Sequence, residues 1–153
     1  MPDIGKQVPS LSGRLADGSE LDLASLKGRW VVVYFYPKDS TPGCTTEAGD
    51  FRDLHARFVQ RNACVIGVSR DSAKSHANFA ARQQLPFALV ADTDEAWCKG
   101  FDVIHEKKLY GKAHLGIVRS TFLIDPQGRL AQAWRGVKVP GHAQAVLDAI
   151  PAR

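Results

Sequence analysis

The chain has 153 residues, 44% of them apolar, so it suffices for one domain spanning residues 1–153 that builds a core without disulfide staples or structural metal. Lys and Arg number 20 against 16 Asp and Glu, and the net charge of +4 lacks the density of a nucleic-acid-binding stripe. The longest apolar run, Trp30 to Tyr36, is far short of the ~20 residues of a membrane span, no secretory apolar region follows Met1-Pro2-Asp3-Ile4, and Cys44, Cys64 and Cys98 cannot all pair within the chain, which points to the reducing cytoplasm.

In chain order, Asp17-Gly18 between short alternating stretches, Leu15 to Leu21, predicts an N-terminal β-hairpin. Trp30 to Tyr36 is apolar throughout and β-branched or aromatic, as in a strand buried on both faces, and Pro37 ends it because proline cannot donate to a ladder. A helix is expected from about Cys44 to Gln60, with Phe51, Leu54, His55 and Phe58 along one face. Ala63–Ser69 reads as a second buried strand, and Ser72–Leu85 as a helix stopped by Pro86. Leu89–Ala91 reads as a strand. Asp92 to Glu95 resembles a capping box for a short helix through Trp97, Cys98 and Phe101, weakened by Gly100. Residues 105–116 are polar and glycine-punctuated. Ser120–Asp125 and Arg129–Arg135 form a strand-turn-strand unit, and His142–Ile150 is a last helix with an apolar stripe. This alternation implies an α/β fold with a mixed central sheet flanked by helices.

Cys44 is the outstanding chemical candidate. It follows a central strand and falls within the first turn of a helix, with Thr41 as N-cap and Pro42 at the first helical position. Unpaired backbone N–H groups and the positive end of the helix dipole there favour thiolate over thiol, and the thiolate is the nucleophile. Cys44-Thr45-Thr46-Glu47 is not Cys-x-x-Cys, which disfavours dithiol exchange of the thioredoxin type.

The run Pro37-Lys38-Asp39-Ser40-Thr41-Pro42-Gly43-Cys44 resembles the peroxiredoxin active-site pattern Pro-x-x-x-Thr-x-x-Cys. With Tyr34-Phe35-Tyr36 before it and Thr45 after it, the chain is similar to the PrxQ branch of that family, also called bacterioferritin comigratory protein. Gly67 to Ser72, Phe101-Asp102-Val103 and Arg119 to Asp125 fall where the family has comparable segments. The resemblance implies a thioredoxin-like fold and thiol-dependent reduction of hydrogen peroxide and organic hydroperoxides without a bound cofactor. It also implies thioredoxin, glutaredoxin or glutathione as reductant, in a bacterial, cytoplasmic monomer. It makes Cys44 the attacking thiolate and Arg119 the stabiliser of thiolate and peroxide oxygens. Thr41 would offer a hydroxyl to either, Pro37 would shield the thiolate, and Glu47 could orient Arg119.

The chain departs from that pattern in the second half of the cycle. The family's near resolving cysteine is replaced by Gly49, and its alternative in the next helix by Asn78-Phe79-Ala80-Ala81. Cys64 and Cys98 both read as small core residues. The expectation is therefore a one-cysteine cycle closed by an external thiol. The alternatives are a two-cysteine cycle with Cys98, the better of the two resolvers, or a peroxide-sensing redox protein. The five histidines, His55, His76, His105, His114 and His142, show no paired metal-ligand spacing with the cysteines, and no nucleotide-binding glycine motif occurs. Lys107-Lys108 with Lys112 and Tyr110 reads as a solvated basic loop, and nucleic acid is not expected as a partner.

Overall fold

The computed structural model describes residues 3–109 and 111–152; Met1, Pro2, Tyr110 and Arg153 lie outside the described residues. A hairpin of β1 (Ser12–Leu15) and β2 (Glu20–Asp22) opens the fold, followed by a short 3-10 turn at Leu23–Leu26. Then come β3 (Trp30–Phe35), α1 (Pro42–Gln60), β4 (Ala63–Ser69), α2 (Ala73–Gln83), β5 (Ala88–Ala91) and α3 (Ala96–Gly100). The chain continues through β6 (Ile104–Leu109), β7 (Lys112–Ile117), β8 (Ser120–Ile124), β9 (Leu130–Arg135) and α4 (His142–Asp148). One sheet runs β2-β1-β5-β4-β3-β8-β9, with β3, β4 and β5 parallel and the other pairings antiparallel. The sheet is thus mixed, with a parallel centre built from β-α-β units whose crossovers put α1 and α2 on the same face.

The alternation of side chains along β3 divides the interior in two. Val32, Tyr34 and, just past its end, Tyr36 pack with Ala48, Phe51 and Phe58 of α1, Phe79 of α2 and Val146 and Leu147 of α4. Val31, Val33 and Phe35 point the other way, into a core shared with Trp97 and Cys98 of α3, Phe101, Ile117 and Phe122. A strand apolar at every position is what a sheet covered on both faces demands.

The structure departs from the sequence expectations at three places. The residues at 92–95 form no capping box. Glu95 takes a left-handed φ of 63°, and Asp92, buried at the end of β5, instead accepts the Trp97 and Cys98 amides at 3.0 and 2.8 Å. Residues 104–109 and 112–117 pair as a two-stranded ribbon, β6 with β7, and not a loop; Tyr110 of the basic run lies outside the described residues. Among its described residues the buried ones are Gly116 and Ile117 at its base, next to Val103 just before β6, so most of it lacks the apolar alternation that announces a strand. The helices at 73 and 142 end at Gln83 and Asp148, short of Leu85 and Ile150.

Gly67 in β4 is required by close approach. A Cβ there would lie 2.7 Å from Leu89 Cδ2 and 2.9 Å from Tyr34 Cζ. The Tyr34 ring cannot retreat, being stacked on Phe51 at 4.7 Å between ring centres and on Tyr36 at 5.5 Å. Gly67→Ala should therefore destabilise the fold by about 1–3 kcal/mol, read as a lower urea midpoint with unchanged slope.

Candidate active site

The loop between β3 and α1 is set by local backbone rules. Tyr36 still donates its N–H to Val68 O at 3.1 Å, but Pro37 cannot continue the ladder, and Ser40 turns the chain with φ 63°. Thr41 is extended (φ −84°, ψ 154°), as a residue before proline must be, and Pro42 sits in the first turn of α1 with its preset φ. Cys44 follows two residues later and points inward, 1% exposed. Thr41 occupies the N-cap position but does not cap with its side chain; its hydroxyl donates to Lys38 O at 2.8 Å and stiffens the loop. Pro37 is half-buried beside it.

Arg119 reaches this helix start from the neighbouring strand, because Ser120 at the start of β8 pairs with Phe35 at the end of β3. Its segment between β7 and β8 is pinned where Val118 N–H donates to Val103 O (2.8 Å) and Val137 N–H donates to Arg119 O (2.9 Å). Nη2 donates to Cys44 Sγ at 3.4 Å and Nη1 to Glu47 Oε1 at 2.6 Å. Cys44 and Glu47 share a helix face at i, i+3, so one planar guanidinium spans both. Burial pushes the Glu47 carboxyl up to about 7, while the Arg119 charge pulls it down. Burial also works against the Arg119 charge, but Glu47 and Cys44 outweigh it and raise its pKa.

The surroundings carry further polar groups. Tyr34 is fully buried, and burial followed by the Glu47 and Cys44 charges holds its phenol well above the usual range. Neither its hydroxyl nor Glu47 Oε2 has a hydrogen-bond partner among the described residues. His142 is pushed down to about 4, first by burial and then by Arg119, so it is neutral near neutral pH, with Nε2 2.8 Å from Thr121 Oγ1. Lys107 of β6 is lowered by burial and then by Arg119, which places a second cation in the same field. This makes one member of the run read as a solvated loop part of the site's electrostatics.

Of the residues singled out from sequence, Cys44, Arg119 and Glu47 converge, and Pro37 and Thr41 shape the loop before them. Cys98 does not join them. It is fully buried in the core on the other face of the sheet, and burial followed by Asp92 holds its thiol well above the usual range. Cys64 packs on that same far face and pairs with Val31 near the start of β3, four residues before Val68, or about 13 Å along the strand. Burial raises its thiol too, against the Arg29 charge.

Sequence reasoning missed Asp39, His76 and Lys107. A histidine on the apolar side of a short helix and an aspartate in a proline-flanked loop show their partnership only once β3, α2 and β5 are side by side. Asp39, Asp71 and His76 are the one group among the described residues that brings three metal-type ligand atoms within 4.8 Å of one another, and these atoms are already engaged in hydrogen bonds. Among the described residues no helix is long and apolar enough to cross a membrane.

A thiol buried at a helix start under an arginine, on a sheet of this topology, defines a thiol peroxidase of thioredoxin-like fold. Residues 4–133 match the model of the AhpC/TSA family. The chain is 58% identical to peroxiredoxin Bcp of Xanthomonas campestris over 138 residues, 90% of this chain and 86% of the relative. It is 47% identical to peroxiredoxin Bcp of Bacillus subtilis over 148 residues, 97% and 94% of the two chains. Among solved structures, the Xanthomonas campestris bacterioferritin comigratory protein, studied for alkyl peroxide reduction, superposes with a TM-score of 0.91 at 53% identity, covering 97% of each chain. Xylella fastidiosa PrxQ does so with 0.92 at 47% identity, covering 97% of this chain and 94% of the other. The chain belongs to the AhpC/TSA family, as a peroxiredoxin of the Bcp/PrxQ kind.

The raised Glu47 carboxyl fixes a sign. Its folded value of about 7 exceeds the usual 4.5, so its contribution to stability is complete below 4.5 and is lost as pH rises through 7. Glu47→Gln, which mimics the protonated acid, should gain stability relative to wild type between pH about 5 and about 8, measured by urea denaturation at both values.

Proposed function

We propose that Cys44 is the peroxidatic residue and that the cycle uses one cysteine and an external thiol. The observation that carries this is the Arg119 guanidinium, 3.4 Å from Cys44 Sγ and 2.6 Å from Glu47 Oε1. The Cys44 thiolate attacks the terminal oxygen of a hydroperoxide; the S–O bond forms as the O–O bond breaks. Sulfur is oxidised to sulfenic acid, and the leaving oxygen takes a proton to become water or an alcohol. Arg119 donates to sulfur and to the oxygens on which charge develops, and Glu47 fixes its plane. Pro37 and Thr41 hold the loop that keeps bulk water off the sulfur.

Resolution follows from where the other thiols lie. A disulfide requires Cα atoms within about 7 Å. Cys98 is in the opposite core, and Cys64 is at the opposite end of the central strands. An external thiol, from glutathione, glutaredoxin or thioredoxin, then attacks the sulfenic sulfur and releases water. A second thiolate reduces the mixed disulfide and regenerates Cys44. The substrates are hydrogen peroxide and organic hydroperoxides, the latter in keeping with the alkyl peroxide reduction studied in the Xanthomonas campestris relative. The setting is the cytoplasm, where such thiols are supplied, and the protein acts as a monomer. In favour of the monomer, the exposed large apolar side chains among the described residues are Ile4, before β1, Val59 of α1 and Leu115 of β7, on separate parts of the chain.

Cys44→Ser should abolish peroxide consumption. Arg119→Ala should slow Cys44 oxidation about a hundredfold to a thousandfold in stopped-flow, and Arg119→Lys should recover only part of it, because a point charge cannot bridge sulfur and carboxylate. Cys64→Ser and Cys98→Ser should keep thiol-supported turnover. A Cys44–Cys98 disulfide peptide in oxidised wild type, with turnover lost in Cys98→Ser, would establish the two-cysteine cycle instead.

A further inference from the structure

Asp39 and His76 are buried polar residues that the peroxidase chemistry leaves unused. Asp39 is in the loop between β3 and α1, two residues before Thr41, and is 6% exposed; His76, in the first turn of α2, is fully buried. His76 Nε2 is 2.9 Å from Val90 O of β5, and a carbonyl only accepts, so Nε2 carries a hydrogen. Nδ1 is 2.7 Å from Asp39 Oδ2, and two lone pairs cannot face each other at that distance, so a second proton lies between them. The pair is thus net neutral and shares one proton. Tyr36, at the end of β3, donates its hydroxyl to Asp39 Oδ1 at 2.6 Å, and Ser75 donates to Oδ2 at 2.9 Å. The Asp39 N–H donates to Asp71 Oδ2 at 2.8 Å. One loop carboxylate is therefore tied to β3, α2 and, through the imidazole, β5.

We propose that Asp39 and His76 are positioning residues that latch the 37–41 loop shut, and so set how Cys44 divides its time between meeting peroxide and meeting a thiol. A small peroxide can react with the closed site, where Arg119 is in place. A thiol on a peptide or protein cannot reach a sulfur that is 1% exposed until the loop lifts, and lifting it breaks the Asp39 bonds to His76 and Ser75. The latch therefore favours oxidation and holds back reduction. It also prolongs the time in which a second peroxide can transfer its oxygen to the sulfenate, giving sulfinic acid and water or alcohol. The kinetic consequence rests on the one-cysteine reading above; the latch itself rests on the hydrogen bonds.

Two substitutions at His76 separate the latch from mere packing. An Asn amide nitrogen occupies the place of Nδ1 and keeps a donor to Asp39; a Gln amide reaches the place of Nε2, keeping Val90 and losing Asp39. In a Cys64→Ser/Cys98→Ser background, where no internal thiol competes, two rates are read: oxidation of Cys44 by hydrogen peroxide, and dimedone labelling of the preformed sulfenic acid. Losing a buried, charge-assisted bond corresponds to about tenfold to a hundredfold in the open population. His76→Gln should therefore raise dimedone labelling about tenfold or more and lower the oxidation rate, His76→Asn should stay near wild type in both, and Ser75→Ala should move both rates as His76→Gln does, but less. Unchanged rates in a folded His76→Gln would overturn the latch, as would both rates falling together in the Gln and Asn variants. If His76→Gln does not fold, Ser75→Ala decides, and unchanged rates there overturn it. Dimedone reads the sulfenic acid whatever the cellular reductant is, so absence of turnover with glutathione, glutaredoxin and thioredoxin in wild type would remove the one-cysteine cycle without touching the latch.

Discussion

Arg119 joins two parts of the fold that the chain builds far apart. Its backbone is fixed at the entry to β8, and its side chain closes on the first turns of α1, so the ion pair with Glu47 at 2.6 Å connects the sheet to the helix that carries the thiol. Much of the surrounding architecture serves this contact. β3 is covered on both faces and α1 starts just past its end, and at Gly43 a Cβ would lie 3.2 Å from Arg119 Nη2, close enough that the guanidinium would have to shift by a few tenths of an ångström. Glu47 must be buried to meet Arg119, which is unfavourable for a lone carboxylate and tolerable only beside a fixed cation. Its raised pKa is the residue of that balance, in which burial exceeds the pull of the guanidinium.

The division of the interior by β3 has chemical consequences. A residue on one face of the strand cannot exchange electrons through a disulfide with a residue on the other without unravelling the sheet or its cover. Cys98 lies on the far side from Cys44, and Cys64 lies both on that side and at the wrong end. Burial raises the thiols of both, which withdraws them from thiolate chemistry in the same step. In this chain Cys44 alone combines a helix start with a guanidinium.

The parts legible in the sequence were those with a strong local cause. Trp30 to Tyr36 announces a doubly covered strand, and Thr41-Pro42-Gly43-Cys44 announces a helix start. Arg119 was legible only through resemblance, since nothing near it in sequence predicts a partner 75 residues away. The ribbon of β6 and β7 was hidden because most of its described residues are exposed, and the cap of α3 because Asp92 reaches its amides from five and six residues upstream. Asp39 and His76 were hidden for a similar reason: their bond spans 37 residues and depends on β3, α2 and β5 lying side by side.

In the cycle proposed above, the burial of Cys44 works in two opposite directions. Enclosing Cys44 beneath Arg119 removes water, which strengthens every charge interaction with a small peroxide. It equally removes the approach path of any reductant larger than the oxidant. A peroxiredoxin with a resolving thiol can meet this conflict by letting part of its own chain unfold toward the sulfur. On the one-cysteine reading proposed above, opening would serve only an outside molecule, and it would have to be reversible and of limited extent. The loop from Pro37 to Thr41 is suited to this. It is short, anchored at one end by a sheet hydrogen bond of Tyr36 and at the other by the helix start, and its interior is held by side-chain hydrogen bonds, not by a sheet ladder. Such bonds can break and reform without disturbing the apolar contacts of β3 and α1, so the fold keeps its core while the sulfur gains access to solvent.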